Sequence, residues 1–375
     1  VDLVSHQQLG ENRTLNKAEL ARGDLPLAQR SISAHLIAQP EDAAGLEIAG
    51  DIATATGNRF KEAADHYRAA INASQPAAAA LYDKLFWSWM NNGSPYEAVE
   101  VLRELVETHP DISKARSDYA GLSAYLGMTQ NSAEHLRWLL RRGRGGINEL
   151  IMLADLNVPQ TRRPLCEDAL KKQPEDLRPR FALAVETSYE DQWVEAEQLL
   201  APVLKRHPDF APAWALYMRV LVALGKDAEL QEQIQKLPEG TDQWSQYWIA
   251  AGLWSEKQNR PRDAAQALWK AVQIDDCNAE ALSHLAANLA QLGMSEEAKV
   301  VAERAANVNE MHDSIESLFS WRRNSQKAAL RVAAAMNRLG RPWEAEGWAR
   351  ASLAMSQELD PSAGESRQTY RDQLQ

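Results

Sequence analysis

The sequence predicts an all-α chain, a right-handed α-α superhelix of about ten helix-turn-helix units. Three observations predict it. Helix-forming Ala, Leu, Glu, Gln and Arg are abundant, while strand-forming Val, Ile and Thr are comparatively sparse. Proline recurs at Pro40, Pro76, Pro110, Pro174 and Pro208, with separations of 36, 34, 64 and 34, the 64 being close to two periods with a short deletion. A small turn residue is followed about five positions later by Ala, as in Gly23 with Ala28, Gly93 with Glu97-Ala98, Gly293 with Glu297-Ala298 and Gly340 with Glu344-Ala345. At 375 residues the chain exceeds the size at which one core stops growing, which favours an array.

Taken in order, the first stretch, 1–140, holds the turn signals at Gly23, Asn58 and Gly93, each followed by a closing Pro that stops the second helix of its hairpin. Between 141 and 175 the pattern shortens. Arg-Arg-Gly-Arg-Gly-Gly and then Asn157-Val158-Pro159 replace the usual turn and Pro, and glycines there predict a kink or joint. From 176 to 310 the period returns, with Trp193 to Ala196, then Trp214, Leu216, Tyr217 and Leu221, then Trp248, Gly252, Ala264, Leu268 and Ala271. Its most regular unit runs from about Ala279 to Val308, with Leu282, Leu285, Ala286 and Leu289 before Gly293, and Ala298, Ala302 and Ala305 after it. Within 311–357, the extra residues Met311 to Asn324, with Leu318, Phe319 and Trp321, predict an added helix or packed loop ahead of the last unit. A polar tail or capping helix is expected over 358–375, since Asp360-Pro361-Ser362-Ala363-Gly364 ends the pattern.

These units resemble the tetratricopeptide repeat family over about residues 11 to 357. The physical reason for such a pattern is that helices approach closely only where crossing residues are small, while Leu and Trp fill the gaps beside them. One hairpin cannot bury its apolar face alone, so neighbours stack. The resemblance implies a concave groove lined by the second, fifth, ninth and twelfth positions of each first helix. Those positions give Asp83, Trp87 and Met90 in the third unit, Phe181 and Val185 in the sixth, Arg219 in the seventh, and Ile249 and Leu253 in the eighth. The implied partner is a protein or peptide. None of the fifth/ninth pairs is the Lys/Asn pair with which chaperone-tail-binding members hold a terminal carboxylate, so no such clamp is expected. A weaker resemblance, carried by the middle units and by Arg341-Pro342-Trp343-Glu344-Ala345-Glu346-Gly347-Trp348, is to repeat regions of exported bacterial proteins with an ASPIC/UnbV-type propeller; no propeller sequence is present in these residues.

A net charge of −11 opposes attraction to nucleic acid or anionic membrane. One region departs from it: Glu134 to Arg180 holds ten Lys and Arg against seven Asp and Glu. Its basic run, Arg137, Arg141, Arg142 and Arg144 with Arg162 and Arg163, could receive an acidic partner or simply complement a helix end. No stretch approaches the roughly 20 apolar residues that span a bilayer. The start at Val1 fits a removed leader as well as an arbitrary boundary, so the compartment stays open.

No phosphate-cradling Gly loop, nucleophile elbow or His-Glu-x-x-His pair is found, so catalysis, cofactor and metal are not expected. His109 and His207 each precede a closing Pro, a place set by the repeat, while His66 with Glu62 and His284 with Glu280 supply two ligands each, short of a metal site. Cys166 and Cys277 read as small buried residues, and Trp214, Trp248 and Trp269 as core. The expected function is a non-catalytic scaffold that binds a peptide or helix. The competing expectation is a structural element packed on an attached or partner domain. Sugar stacking would need evenly spaced exposed aromatics, a spacing the sequence lacks.

Overall fold

The structure, a computed structural model, describes residues 23–359 apart from Gln75, Asp155, Asn157 and 321–324. All regular elements among the described residues are helical. In chain order they are α1 (Leu25–Ala38), α2 (Ala43–Ala55), α3 (Phe60–Ala73), α4 (Ala79–Asn92), α5 (Pro95–Thr108), α6 (Ser113–Tyr125), α7 (Ala133–Arg141), α8 (Ile147–Ala154), α9 (Arg163–Lys172) and α10 (Pro179–Tyr189). There follow α11 (Trp193–Arg206), α12 (Ala211–Ala223), α13 (Asp227–Ile234), α14 (Ser245–Lys257), α15 (Pro261–Ile274), α16 (Ala279–Gln291), α17 (Ser295–Ser320), α18 (Ser325–Arg338) and α19 (Pro342–Leu359). The chain forms two compact units, one of Val1–Leu122 with Pro164–Asp176 and one of Ser123–Arg163 with Leu177–Gln375. Within each, successive helices pack against one another as hairpins, the expected solenoid class.

In the first unit the hairpin pattern follows from caps and close crossings. Asp42 accepts from the Gly45 N–H at the start of α2 (3.1 Å) and faces His35 Nε2 of α1 (2.7 Å), so one carboxylate caps a helix and ties it to its neighbour. Gly50 marks the α2–α3 crossing: a Cβ there would lie 2.5 Å from the Tyr67 ring. Helix α4 ends at Gly93, whose φ of +82° lets its N–H and that of Ser94 bond back to Met90 and Trp89. Helix α9 joins this unit, and Gln173 just beyond it donates to the Asn92 carbonyl (2.9 Å).

The second unit repeats the logic. Gly252 on α14 sits against Leu268 on α15, where a Cβ would be 2.6 Å from the leucine. Proline opens α10, α12, α15 and α19, at positions whose N–H would have no partner in the helix. The core joins Leu268, Leu282, Leu285 and Val308 to Val332, Met336 and Trp348, with Leu150 of α8 packed in. Trp214 Nε1 donates to the Pro208 carbonyl (2.8 Å), which satisfies its polar end.

The structure departs from the sequence pattern in two places. The residues after Met311 do not begin a new element: α17 runs unbroken to Ser320, because Ala305, Val308, Met311 and Ile315 continue one buried stripe. Trp269 is not core, since half its surface is exposed. Trp321, the stretch before residue 23 and the tail from Asp360 lie outside the described residues.

Candidate functional site

The second unit encloses a cavity of about 340 Å³. Helix α10 presents Phe181, Val185 and Tyr189 to it, and α12 presents Ala215 and Arg219. The turn around Trp244, the start of α16 at Glu280, and Thr129, Gln130 and Leu156 complete the lining. Gln130 fixes that arrangement: its amide donates to the Gln243 carbonyl (2.5 Å) and its oxygen accepts from the Ser245 N–H (3.1 Å). Thr129 Oγ1 in turn donates to the Leu156 carbonyl. Phe181 is buried edge-on against Phe210, with ring centroids 5.3 Å apart. The Arg219 guanidinium lies over the Trp193 ring (5.1 Å) and pairs with Glu280, 61 positions away in the chain. The lining thus combines aromatic surface, a largely buried guanidinium already held in place, and the carboxylates of Asp191, Asp275 and Glu280.

Three of the residues chosen from the repeat, Phe181, Val185 and Arg219, meet at this cavity. Ile249 does not line it: the residue is fully buried in the core, with Leu253 packed against the same cluster. Helix α15 covers their face of α14 more closely than the groove reading allows. Tyr189, Trp193 and Trp244 were not singled out for the groove because they stand at the ends of helices and in turns, where helical periodicity carries no facing information.

In the first unit, α4 carries Asp83, Trp87 and Met90. Trp87 is 52% exposed and meets Phe86 edge-on (5.1 Å), Met90 is half-buried, and Asp83 faces Lys114 (3.6 Å). Beside them Lys84 bridges Glu47 and Asp51 (2.7 Å each), and the Tyr67 hydroxyl donates to Asp51 (2.7 Å). Burial, together with the neighbouring carboxylates, raises the Tyr67 pKa well above its ordinary value.

The six arginines of the basic run have separate surroundings. Arg142 stacks on Trp138 (4.1 Å), Arg162 on Tyr125 (5.2 Å), and Arg163 pairs with Glu186 (2.7 Å). Arg144 is exposed. Arg137 and Arg141 line a second cavity of about 390 Å³ with Arg341 and Trp343.

The histidines have local partners. His109 stacks edge-on against Tyr82 (5.9 Å), His207 Nε2 accepts from the Leu177 N–H (3.2 Å), and His284 turns to Glu256 (2.9 Å) rather than Glu280. Both cysteines are buried, and desolvation pushes the Cys277 thiol up to about 12. Among the described residues no group of three or more His, Cys, Asp or Glu could hold a metal ion, and no helix is long and apolar enough to cross a membrane.

Helical hairpins that repeat with small residues at their crossings and a lined concavity define a helical-repeat protein. Residues 189–252 match the family model of the tetratricopeptide repeat. That segment runs from the end of α10 into α14 and is flanked by further helical hairpins. Among solved structures, YrrB, described as a TPR protein with an unusual peptide-binding site, is 17% identical over 54% of this chain and 88% of its own, with a TM-score of 0.29. A tetratricopeptide repeat protein from Parabacteroides merdae is 14% identical over 80% of this chain and 99% of its own (TM-score 0.30). The APC/C hetero-tetramer Cut9-Hcn1 is 13% identical over 92% of this chain and 72% of the matched chain (TM-score 0.34). No curated protein matches the sequence. The ASPIC/UnbV resemblance has no support from these matches.

Proposed function

We propose that this chain is a non-catalytic interaction scaffold that receives an extended peptide of a partner protein in the cavity of its second unit. The observation that carries the reading is the cavity itself, to which Phe181, Val185 and Arg219 contribute from the inner faces of α10 and α12. A peptide supplies what this lining asks for: an apolar side chain against Val185 and Tyr189, and a backbone or side-chain acceptor for the guanidinium that Trp193 and Glu280 hold in place. In the first unit Asp83, Trp87 and Met90 form a separate contact patch for a protein partner, with the exposed Trp87 ring as its anchor.

The test is selection from a displayed peptide library on the purified chain, followed by calorimetry of the best peptide. Val185→Asp and Arg219→Ala are each expected to weaken it by about 2 kcal/mol, near thirtyfold, with melting temperatures little changed. A selected peptide that binds both variants as tightly as the parent would refute the cavity as its site.

A further inference from the structure

The cavity beside α7 and the α18–α19 turn carries an unbalanced positive charge. Five charged side chains line it: Arg137, Arg141, Arg341, Asp276 and Glu344. Three are neutralised locally. Glu344 pairs with the buried Arg341 (2.5 Å), whose guanidinium also donates to Cys277 Sγ (2.7 Å) and towards the Leu153 carbonyl (3.4 Å). Asp276 pairs with Arg304 (2.8 Å), which donates to the Leu339 carbonyl as well (3.0 Å). Arg137 and Arg141 stand one helical turn apart on α7, and among the described residues neither makes an ion pair or a hydrogen bond. Arg137 acts electrostatically on Glu344, which Arg341 already pairs, and Arg141 has no anion of its own, so positive charge stays in excess at the opening. Trp343, 63% exposed, with Pro342 and Leu140 supplies apolar surface beside them.

We infer that this cavity is a second docking site, for an acidic segment of a partner protein whose carboxylates pair with Arg137 and Arg141 and whose apolar side chain lies on Trp343. The charge complementarity selects this occupant. Arginine takes carboxylates in fork geometry, and on a chain of net charge −11 an acidic segment needs a local excess of arginine such as this cavity holds. The site is separate from the peptide cavity: the two share no lining residue.

The test uses the full chain and two pools of fluorescein-labelled, C-terminally amidated peptides of equal length with one Leu and one Phe each. In one pool the remaining positions are Glu and Asp; in the other they are Gln and Asn. Anisotropy at low salt is expected to show saturable binding of the acidic pool alone, weakened at least tenfold by the Arg137→Gln/Arg141→Gln pair and lost at high salt. Trp343→Ala should weaken it several-fold, and Arg142→Gln and Val185→Asp should leave it unchanged. Binding equal for both pools, an absence of saturable acidic binding, or an equal loss from Arg142→Gln would overturn the inference. So would inorganic phosphate at low millimolar concentration displacing the peptide completely, since the site would then take a small anion. Should the double variant unfold, Arg141→Gln alone serves, because Arg141 is exposed and in the last turn of its helix.

Discussion

Phe181 and Trp87 come from the same reading of the repeat and meet opposite surroundings. Phe181 is 2% exposed and closed over by Phe210, while Trp87 keeps 52% of its surface in solvent. Phe181→Ala is therefore expected to cost about 3–5 kcal/mol of stability, and Trp87→Ala about 1 kcal/mol or less, by chemical denaturation. The reverse order of costs would show that the faces of α4 and α10 have been exchanged. Helical spacing gives the face of each helix that carries the second, fifth, ninth and twelfth positions. It could not tell how tightly the neighbouring helix covers that face, which is why Ile249 was read as groove and is core. The Arg219–Glu280 pair was beyond reach for a different reason: its partners lie two hairpins apart, and no local pattern joins them.

Among elements, the small residues at helix crossings have the clearest physical role. At Gly252 an added Cβ would lie 2.6 Å from Leu268, so α14 and α15 hold their spacing only with glycine there. Gly252→Leu should force the hairpin apart and destabilise the chain by about 1–3 kcal/mol or more, read as a lowered melting temperature. The same change at Ala287, exposed on α16, should leave stability within about 0.5 kcal/mol. Equal effects at the two positions would contradict the close-crossing account. The crossings were legible in the sequence because glycine and alanine recur in phase with the turns. The length of α17 was less so: the repeat period predicted an end near Val308, while the apolar stripe at Ala305, Val308, Met311 and Ile315 carried the helix on to Ser320. Where the two signals compete, the buried stripe decides, since helix stability comes mainly from packing of an apolar face.

At the scale of the whole molecule, the scaffold reading rests on cavities that the repeats leave lined but unfilled, among them the mixed aromatic cavity in the second unit and the arginine cavity beside α7. Hairpins bury their own apolar stripes against their neighbours, so what remains available to a partner is set by turns and helix ends. Those are the parts that sequence periodicity describes least, and Tyr189, Trp193 and Trp244 come from them. The most direct measurement is hydrogen–deuterium exchange of the chain with and without the library-selected peptide. The account predicts slowed exchange in α10, α12 and the turn at Trp244 to Gln246, with α15, which contributes nothing to the cavity, unchanged. Slowing confined to α7 and α19, or spread evenly over all helices, would contradict it.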